Sequence, residues 1–376
     1  MTPADISLRG RGPLRIGDLC AALPIVQGGM GVGISLAGLA AAVANEGGIG
    51  VISAACIGRT PPYESKGIND AQALREDIRR ARYLSKGIIG VNIMVALTNF
   101  EELCRAASDE EVDIIFAGAG LPLSLPAFVR PGSSTKLVPI VSSGKAAALI
   151  TRWWDEKYGR LPDAFVVEGP MAGGHLGFKA ENISDSDFSL DKILPEVLAF
   201  TLRLQQGGGP LIPVIAGGGV FTGEDIRKYL DLGAQAVQMG TRFVTTLECD
   251  APDAFKQAYL DAAREDILII NSPVGMPGRA LKNSFILSMQ AGQTSPVRCR
   301  YHCITTCKRD KSPYCIADAL LASLGGDTQK GLIFVGANAW RLDKVLSVGD
   351  LIKALEDEYA HIRPDMEAQN ERTGDQ

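Results

Sequence analysis

The chain has 376 residues, 46% of them hydrophobic and 22% charged, a balance that suits a compact soluble protein with a large core and one or two domains. Its net charge of −5, with Lys and Arg scattered rather than striped, argues against a nucleic-acid partner. No uncharged apolar run approaches the ~18 residues of a bilayer span, and Met1-Thr-Pro-Ala-Asp-Ile6 lacks the charged start and apolar run of an export signal, so a cytoplasmic protein with a small-molecule substrate is expected.

In chain order, short uninterrupted apolar runs alternate with helical patterning. The runs are 23–27, 49–53, 88–93, 113–116, 137–141, 164–167, 212–216 and 236–239; apolar throughout, they read as strands buried on both faces. Between them, 36–45, 71–84, 99–108, 123–130, 144–157, 189–205 and 224–232 read as helices. Eight strands with helices between them predict an α/β fold, a parallel (β/α)8 TIM barrel over residues 1–265, rather than an open doubly wound sheet. Against the open sheet, no strand is followed by Gly-x-Gly-x-x-Gly, and no P-loop Gly-Lys-Ser/Thr occurs. Residues 266–346 break the pattern with Pro273, Pro277, Pro296, Pro313 and a cysteine group, and read as a Cys-rich extension packed on the barrel. Residues 347–376 read as a helix over 347–359 followed by a disordered polar tail from about Pro364.

Such barrels carry their sites at the C-terminal ends of the strands, with a phosphate commonly held after strands seven and eight. Here those loops are Ala216-Gly217-Gly218-Gly219-Val220 and Gln238-Met239-Gly240-Thr241-Arg242. Missing Cβ atoms let backbone N–H groups close on an anion, and the helix beginning near Thr222 would add its dipole. The alternative is that these glycines only make tight turns. After strand one, Gln27-Gly28-Gly29-Met30-Gly31-Val32-Gly33 leaves bare backbone for a flat ring system, and Asn92, at the end of strand three, can donate and accept at the same rim unless it is a turn residue. A phosphate at strands seven and eight with a planar ring over the mouth describes FMN. Lys145 reads as helix surface, and Arg242 as a phosphate partner or a rim salt bridge. The run Asp163-Ala-Phe-Val-Val-Glu-Gly-Pro-Met-Ala-Gly-Gly-His175 brings an apolar strand into a glycine turn that delivers a histidine, a catalytic candidate or a structural turn residue. His302 and His361 read as non-catalytic.

Five ordered motifs, Pro24-Ile-Val-Gln-Gly-Gly-Met-Gly31, Gly90-Val-Asn-Ile93, Ala172-Gly-Gly-His175, Pro213-Val-Ile-Ala-Gly-Gly-Gly219 and Gly233-Ala-Gln-Ala-Val-Gln-Met-Gly-Thr-Arg-Phe243, resemble the nitronate monooxygenase family. It was formerly called 2-nitropropane dioxygenase and includes flavin-dependent enoyl-acyl-carrier-protein reductases. The resemblance covers roughly residues 15 to 285 and implies a (β/α)8 flavoprotein with non-covalent FMN. Carried over, Gln27, Gly28 and Met30 would line the flavin, Asn92 would contact it, and Gly173 and Gly174 would stand beside it. Gly217, Gly218, Gly219, Gly240 and Thr241 would hold the phosphate, and His175 would be catalytic. Many members have Glu-Ala-Gly-Gly-His where this chain has Met171; Glu168 is kept, in a context closer to the enoyl reductase branch.

The resemblance implies an FMN-dependent oxidoreductase that oxidises nitronates or nitroalkanes with dioxygen. Alternatives are NAD(P)H-dependent reduction of an enoyl thioester, and a flavin or cluster sensor without turnover. Cys20, Cys56, Cys104 and Cys249, scattered among apolar or helical residues, read as packing. Cys299, Cys303, Cys307 and Cys315 form C-x3-C-x3-C-x7-C, outside the common zinc spacings. A single zinc would need the segment to fold back sharply, whereas a [4Fe–4S] cubane spreads its ligands more widely; a cluster, zinc and no metal all stay open. Basic neighbours such as Arg298 and Lys308 would offset thiolate charge. A cluster near the flavin would bring in a redox partner; a homodimer is a further expectation.

Overall fold

The computed structural model describes residues 7–293 and 299–361; the expected tail from Pro364 lies outside them. A short antiparallel hairpin, β1 (Leu14–Ile16) and β2 (Leu19–Ala21), opens the chain. The barrel strands follow: β3 (Ile25–Gln27), β4 (Ile49–Ser53), β5 (Ile88–Met94), β6 (Ile114–Gly118), β7 (Lys136–Val141) and β8 (Phe165–Glu168). After the two-residue β9 (Gly174–His175) come the last two, β10 (Val214–Gly217) and β11 (Ala236–Met239). The sheet is closed, with β11 pairing in parallel with β3 through Val237 with Ile25 and Met239 with Gln27. That pairing excludes the open sheet. The eight predicted strands are the eight staves, with ends shifted by a residue or two.

Their apolar character has two causes, because alternate residues face two different cores. Val26, Val51, Ile114, Phe116, Val138, Val166 and Ile215 fill the interior, together with Leu14 and Ile16 of the β1–β2 hairpin. The hairpin therefore packs into the interior from outside the sheet. Ile25, Ile52, Ile115, Phe165, Val167 and Val237 face outward against the helices.

Those helices are α1 (Ala37–Asn45), α2 (Asp70–Leu84), α3 (Phe100–Asp109), α4 (Gly144–Tyr158), α5 (Leu190–Gln206) and α6 (Gly223–Asp231). The helix expected over 123–130 does not form; a short 3₁₀ turn, Leu125–Phe128, stands there instead. Pro122, Pro126 and Pro131 deny that stretch the N–H groups and the preceding helical conformations an α-helix needs. Cys20, expected in packing, is exposed on β2, whereas Cys56, Cys104 and Cys249 are buried.

Beyond the barrel come α7 (Thr241–Val244), α8 (Asp253–Leu260), β12 (Ile267–Asn271), β13 (Pro277–Leu281), α9 (Ser284–Gln290), α10 (Ile316–Leu324) and α11 (Val348–Ala360). β12 and β13 form an antiparallel hairpin whose free edge takes up β9, pairing Gly278 with His175 and Arg279 with Gly174. The extension thus joins the loop after β8 to a sheet of its own. It has a small core of Ile270, Val274, Ala280, Ile286, Tyr314 and Leu332, and α11 seats on α6, with the Glu358 carboxylate accepting from Gly223 N–H at 2.8 Å.

Candidate active site

At the C-terminal rim β3, β8, β10 and β11 pass directly into turns that carry glycine. After β3 the loop folds back across the mouth, with Met30 N–H donating to Ser35 Oγ at 2.8 Å and Ser35 N–H to Met30 O at 3.0 Å. A Cβ at Gly29 would lie 2.3 Å from the Cβ of Asn92, so only bare backbone fits beside that side chain. Gly28, Met30 and Asn92 face one cavity, which Gly173, Gly174 and His175 also line. Gln27 does not. Its side chain is fully buried in the barrel wall, accepting from Val51 N–H at 2.9 Å and donating to Gly28 O, so the expected flavin contact is not one its position offers.

Gly218, Gly240 and Thr241 line the same cavity, with Gly240 against Met30. Gly218 has φ 87° and a Cβ there would sit 2.5 Å from Gly169 O. Gly217 and Gly219 flank it, Gly217 ending β10 and Gly219 packed on Met171. Among the described residues the N–H groups of Gly218, Gly219 and Gly240 donate to no acceptor in the chain. Unclaimed amides on backbone stripped of Cβ suit a phosphate, and the residues present fit FMN on that ground.

The dipole expected from the helix near Thr222 is already occupied. Asp225 accepts from Phe221 and Thr222 N–H at 2.9 and 3.0 Å, and Glu358 accepts from Gly223. Two carboxylates of the chain itself thus take the place of an anion at the start of α6. Arg242 belongs to the same arrangement, 3.5 Å from Glu358, donating to Phe221 O at 3.1 Å and lying over the Phe221 ring; it forms the rim salt bridge. Lys145 is exposed in the first turn of α4.

His175 is held from the extension. Its Nε2 lies 2.8 Å from Ser272 Oγ and its ring meets Phe334 edge-on at 4.9 Å. With Nε2 engaged, Nδ1 is the nitrogen left for a reacting partner, whichever tautomer is populated. Burial pushes the imidazole down to about 4, so it is neutral at physiological pH. Ser272 also accepts from Val274 N–H at 3.3 Å, which fixes the hydroxyl. Replacing Ser272 with alanine is expected to lower kcat about tenfold, the order of one orienting hydrogen bond of ~1–1.5 kcal/mol. Steady-state kinetics at unchanged flavin content check it.

The turn that carries His175 is moulded by Arg279. This buried guanidinium donates to Pro170 O at 2.8 Å and to Ala172 O, and burial lowers its pKa to about 10. Ala337 N–H donates to Met171 O at 3.1 Å and Asn338 Nδ2 to Gly219 O at 2.8 Å, so one segment of the extension grips the histidine turn and the phosphate loop together. Sequence reasoning missed Ser272, Arg279 and Asn338. The apolar run 267–270 was a readable strand signal, but its pairing with the two residues of β9 leaves no local trace.

Glu168, at the end of β8, faces the same cavity, and burial raises its carboxyl to about 7. A carboxyl raised in the folded state binds protons that the unfolded chain, near 4.5, has released. Its stabilising contribution is therefore present below about 4.5 and is lost as pH rises toward 7. Glu168→Gln is expected to flatten this part of the dependence of Tm on pH, measured on flavin-free protein.

Among the described residues no group of three or more His, Cys, Asp or Glu is placed to hold a metal ion, so of the readings left open for Cys299, Cys303, Cys307 and Cys315 neither a [4Fe–4S] cluster nor zinc gains support. Cys307 Sγ pairs with Ser312 Oγ at 3.6 Å, Cys303 with Cys56, and Cys315 begins α10. Cys315 in turn lies near both Cys303 and Cys56, while Cys307 turns to Ser312.

A closed (β/α)8 barrel with a glycine rim of unclaimed amides and a buried neutral histidine over its mouth has the layout of a barrel oxidoreductase. The family model described as nitronate monooxygenase matches residues 15–106 and 98–358, and the chain belongs to that family of oxidoreductases. Among its relatives, the "(3aS,4S,5R,7aS)-5-hydroxy-7a-methyl-1-oxo-octahydro-1H-indene-4-carboxyl-CoA dehydrogenase" of Mycobacterium tuberculosis is 28% identical over 269 residues, 72% of this chain and 66% of the relative. The chain thus spans just under two thirds of that protein, and 65% of its Rhodococcus jostii counterpart. A "probable nitronate monooxygenase" of Staphylococcus aureus is 28% identical over 71% of this chain and 77% of its own. Among solved structures, FabK from Thermotoga maritima is similar at TM-score 0.69 and 26% identity, covering 93% of this chain and 95% of that one. A nitroalkane oxidase from Streptomyces ansochromogenes, 23% identical at TM-score 0.69 over 92% and 96%, shares the fold. Among the described residues no helix is long and apolar enough to cross a membrane.

Proposed function

We propose that the chain is an FMN-dependent oxidoreductase acting on nitronates, with His175 as the residue that meets the substrate. The observation that carries this reading is the neutral imidazole, braced by Ser272, in the same cavity as the bare glycine loops. FMN, held by the amides of Gly218, Gly219 and Gly240 with Thr241, and flanked by Gly28, Met30 and Asn92, would supply the electron transfer. His175 does the rest at Nδ1. A base held near 4 is a poor match for taking an α-proton at neutral pH, which favours a substrate arriving as the nitronate. That anion accepts a hydrogen bond from Nδ1–H, and its charge draws the imidazole toward protonation. Arg279 and Ser272 keep the ring from turning away, and Phe334 shields it from water.

A second reading, hydrogen transfer on an acyl thioester, has support of its own. Met171 stands where many family members carry a carboxylate, and the outer cavity wall is apolar, with Leu320, Leu332 and Phe334. The mycobacterial relative bears the name of a carboxyl-CoA dehydrogenase. Adding nitronate or NADPH to the yellow protein without oxygen separates the readings. Bleaching by nitronate supports the first, bleaching by NADPH alone the second, and bleaching by neither a sensor.

A further inference from the structure

Cys56 and Cys303 are distant in sequence and adjacent in space. Cys56 lies three residues beyond β4 and is 8% exposed, in the core against which Cys303 packs. The segment bearing Cys303 is stitched to the loop after β5: Thr98 N–H donates to Cys303 O at 3.1 Å, Thr305 N–H to Ala96 O at 2.9 Å, and Leu97 bridges Ile304. On the other side, the Arg59 guanidinium stacks over the Tyr301 ring at 5.6 Å. Held from both sides, the two thiols are neighbours, each the largest single influence on the other's ionisation, with Cys315 close to both. Cys303 is half-exposed and Cys56 is buried behind it.

We propose that Cys56 and Cys303 form a reversible disulfide in response to hydrogen peroxide, tying the loop after β4 to the Cys-rich segment. Exposure assigns the roles: the accessible Cys303 meets the oxidant, and the buried Cys56 resolves it. The Cys303 thiolate attacks one peroxide oxygen, an S–O bond forms, the O–O bond breaks, and the departing hydroxide takes a proton to become water. The Cys56 sulfur then attacks the sulfenic sulfur. The S–S bond forms, the S–O bond breaks, and the leaving hydroxide carries off the Cys56 proton as a second water. Two thiols and one peroxide thus give one disulfide and two waters. The contact between the two thiols lowers the pKa of Cys303 below the ordinary thiol value, against burial and the charges of Asp70 and Asp318, and raises that of Cys56.

The bond has a place to act. Ala55, beside Cys56, lines the cavity, so closure ties that wall of the candidate site to the Cys-rich segment.

The test uses purified full-length protein treated with hydrogen peroxide, its remaining thiols blocked, and digested without reductant. A peptide linking Cys56 to Cys303, lost on adding dithiothreitol, is expected. In Cys56→Ser, Cys303 should be trapped by dimedone as the sulfenic acid; in Cys303→Ser, Cys56 should stay unlabelled. A link from Cys303 to Cys299, Cys307 or Cys315 in preference to Cys56 would overturn the proposal. So would dimedone reaching the exposed Cys20 before Cys303, or stoichiometric zinc or iron in the purified protein that Cys303→Ser removes. None of these readouts depends on flavin turnover, so this proposal and the nitronate reading fail separately.

Discussion

Replacing His175 with alanine is expected to lower kcat/KM for nitronate by ~10²–10⁴-fold while the purified protein keeps its yellow colour. The two halves of the result come from different contacts. The phosphate side of the cavity rests on backbone amides of the loops after β10 and β11, and none of these bonds to the imidazole. The imidazole's own partners are Ser272 and Phe334, both from the extension. Removing the ring should therefore leave the cradle intact and delete the group that meets the substrate. Flavin loss in His175→Ala, with the far-ultraviolet circular dichroism unchanged, would show instead that the histidine is a structural part of the cradle.

The same prediction has a pH signature. With His175 near 4 and Glu168 near 7 in the unliganded protein, any inflection of kcat/KM close to neutrality belongs to the carboxyl rather than the imidazole. It should survive in Ser272→Ala and vanish in Glu168→Gln. An inflection near 7 that persists without Glu168 would mean that the imidazole titrates at its ordinary value and is wetter than its surroundings imply.

How much of this could be read from sequence depends on where each interaction is encoded. The staves of the barrel were legible because each carries its own signal. A strand such as β8, with Phe165 and Val167 turned outward and Val166 inward, must be apolar at all three of those positions, and a glycine turn follows Glu168 at its end. The glycines were legible as a class but not one by one. Gly218 faces the cavity while Gly217 ends a strand, and only the register of β10 on β8 decides which. Gln27 was misplaced because a polar residue before a glycine loop looks like a ligand, whereas its amide satisfies the backbone of β4 and of Gly28.

The parts that stayed hidden depend on long-range pairing. Ser272 reaches His175 across 97 residues, and Arg279 reaches Ala172 across 107. Both contacts exist because β13 takes up the two residues of β9. The cysteine spacing left its reading open for a related reason: a metal site needs convergence, and convergence is a property of the folded segment rather than of intervals along it.

Gly218→Ala should be the most damaging single-methyl change at the cradle, raising the Kd for FMN at least ~100-fold, equivalent to about 2.8 kcal/mol. Two costs add. An alanine at φ 87° enters a region that disfavours side chains by roughly 1–2 kcal/mol. Its methyl would also lie 2.5 Å from Gly169 O and 2.8 Å from Gly169 N, and these are backbone atoms that no rotamer change can move aside. Relief requires the Gly218 amide or the Gly169 peptide to shift, and Gly169 directly follows Glu168 and opens the turn that Arg279 holds. Either movement withdraws an N–H group from the phosphate position or disturbs the floor beneath the ring. Gly207→Ala is the matched control. Gly207 lies at the end of α5 with φ −77° and ordinary 3.4 Å neighbours, so its Kd should stay at the wild-type value. Quenching of FMN fluorescence by flavin-free protein measures both variants, and wild-type affinity in a folded Gly218→Ala protein would place the phosphate somewhere other than between β10 and β11.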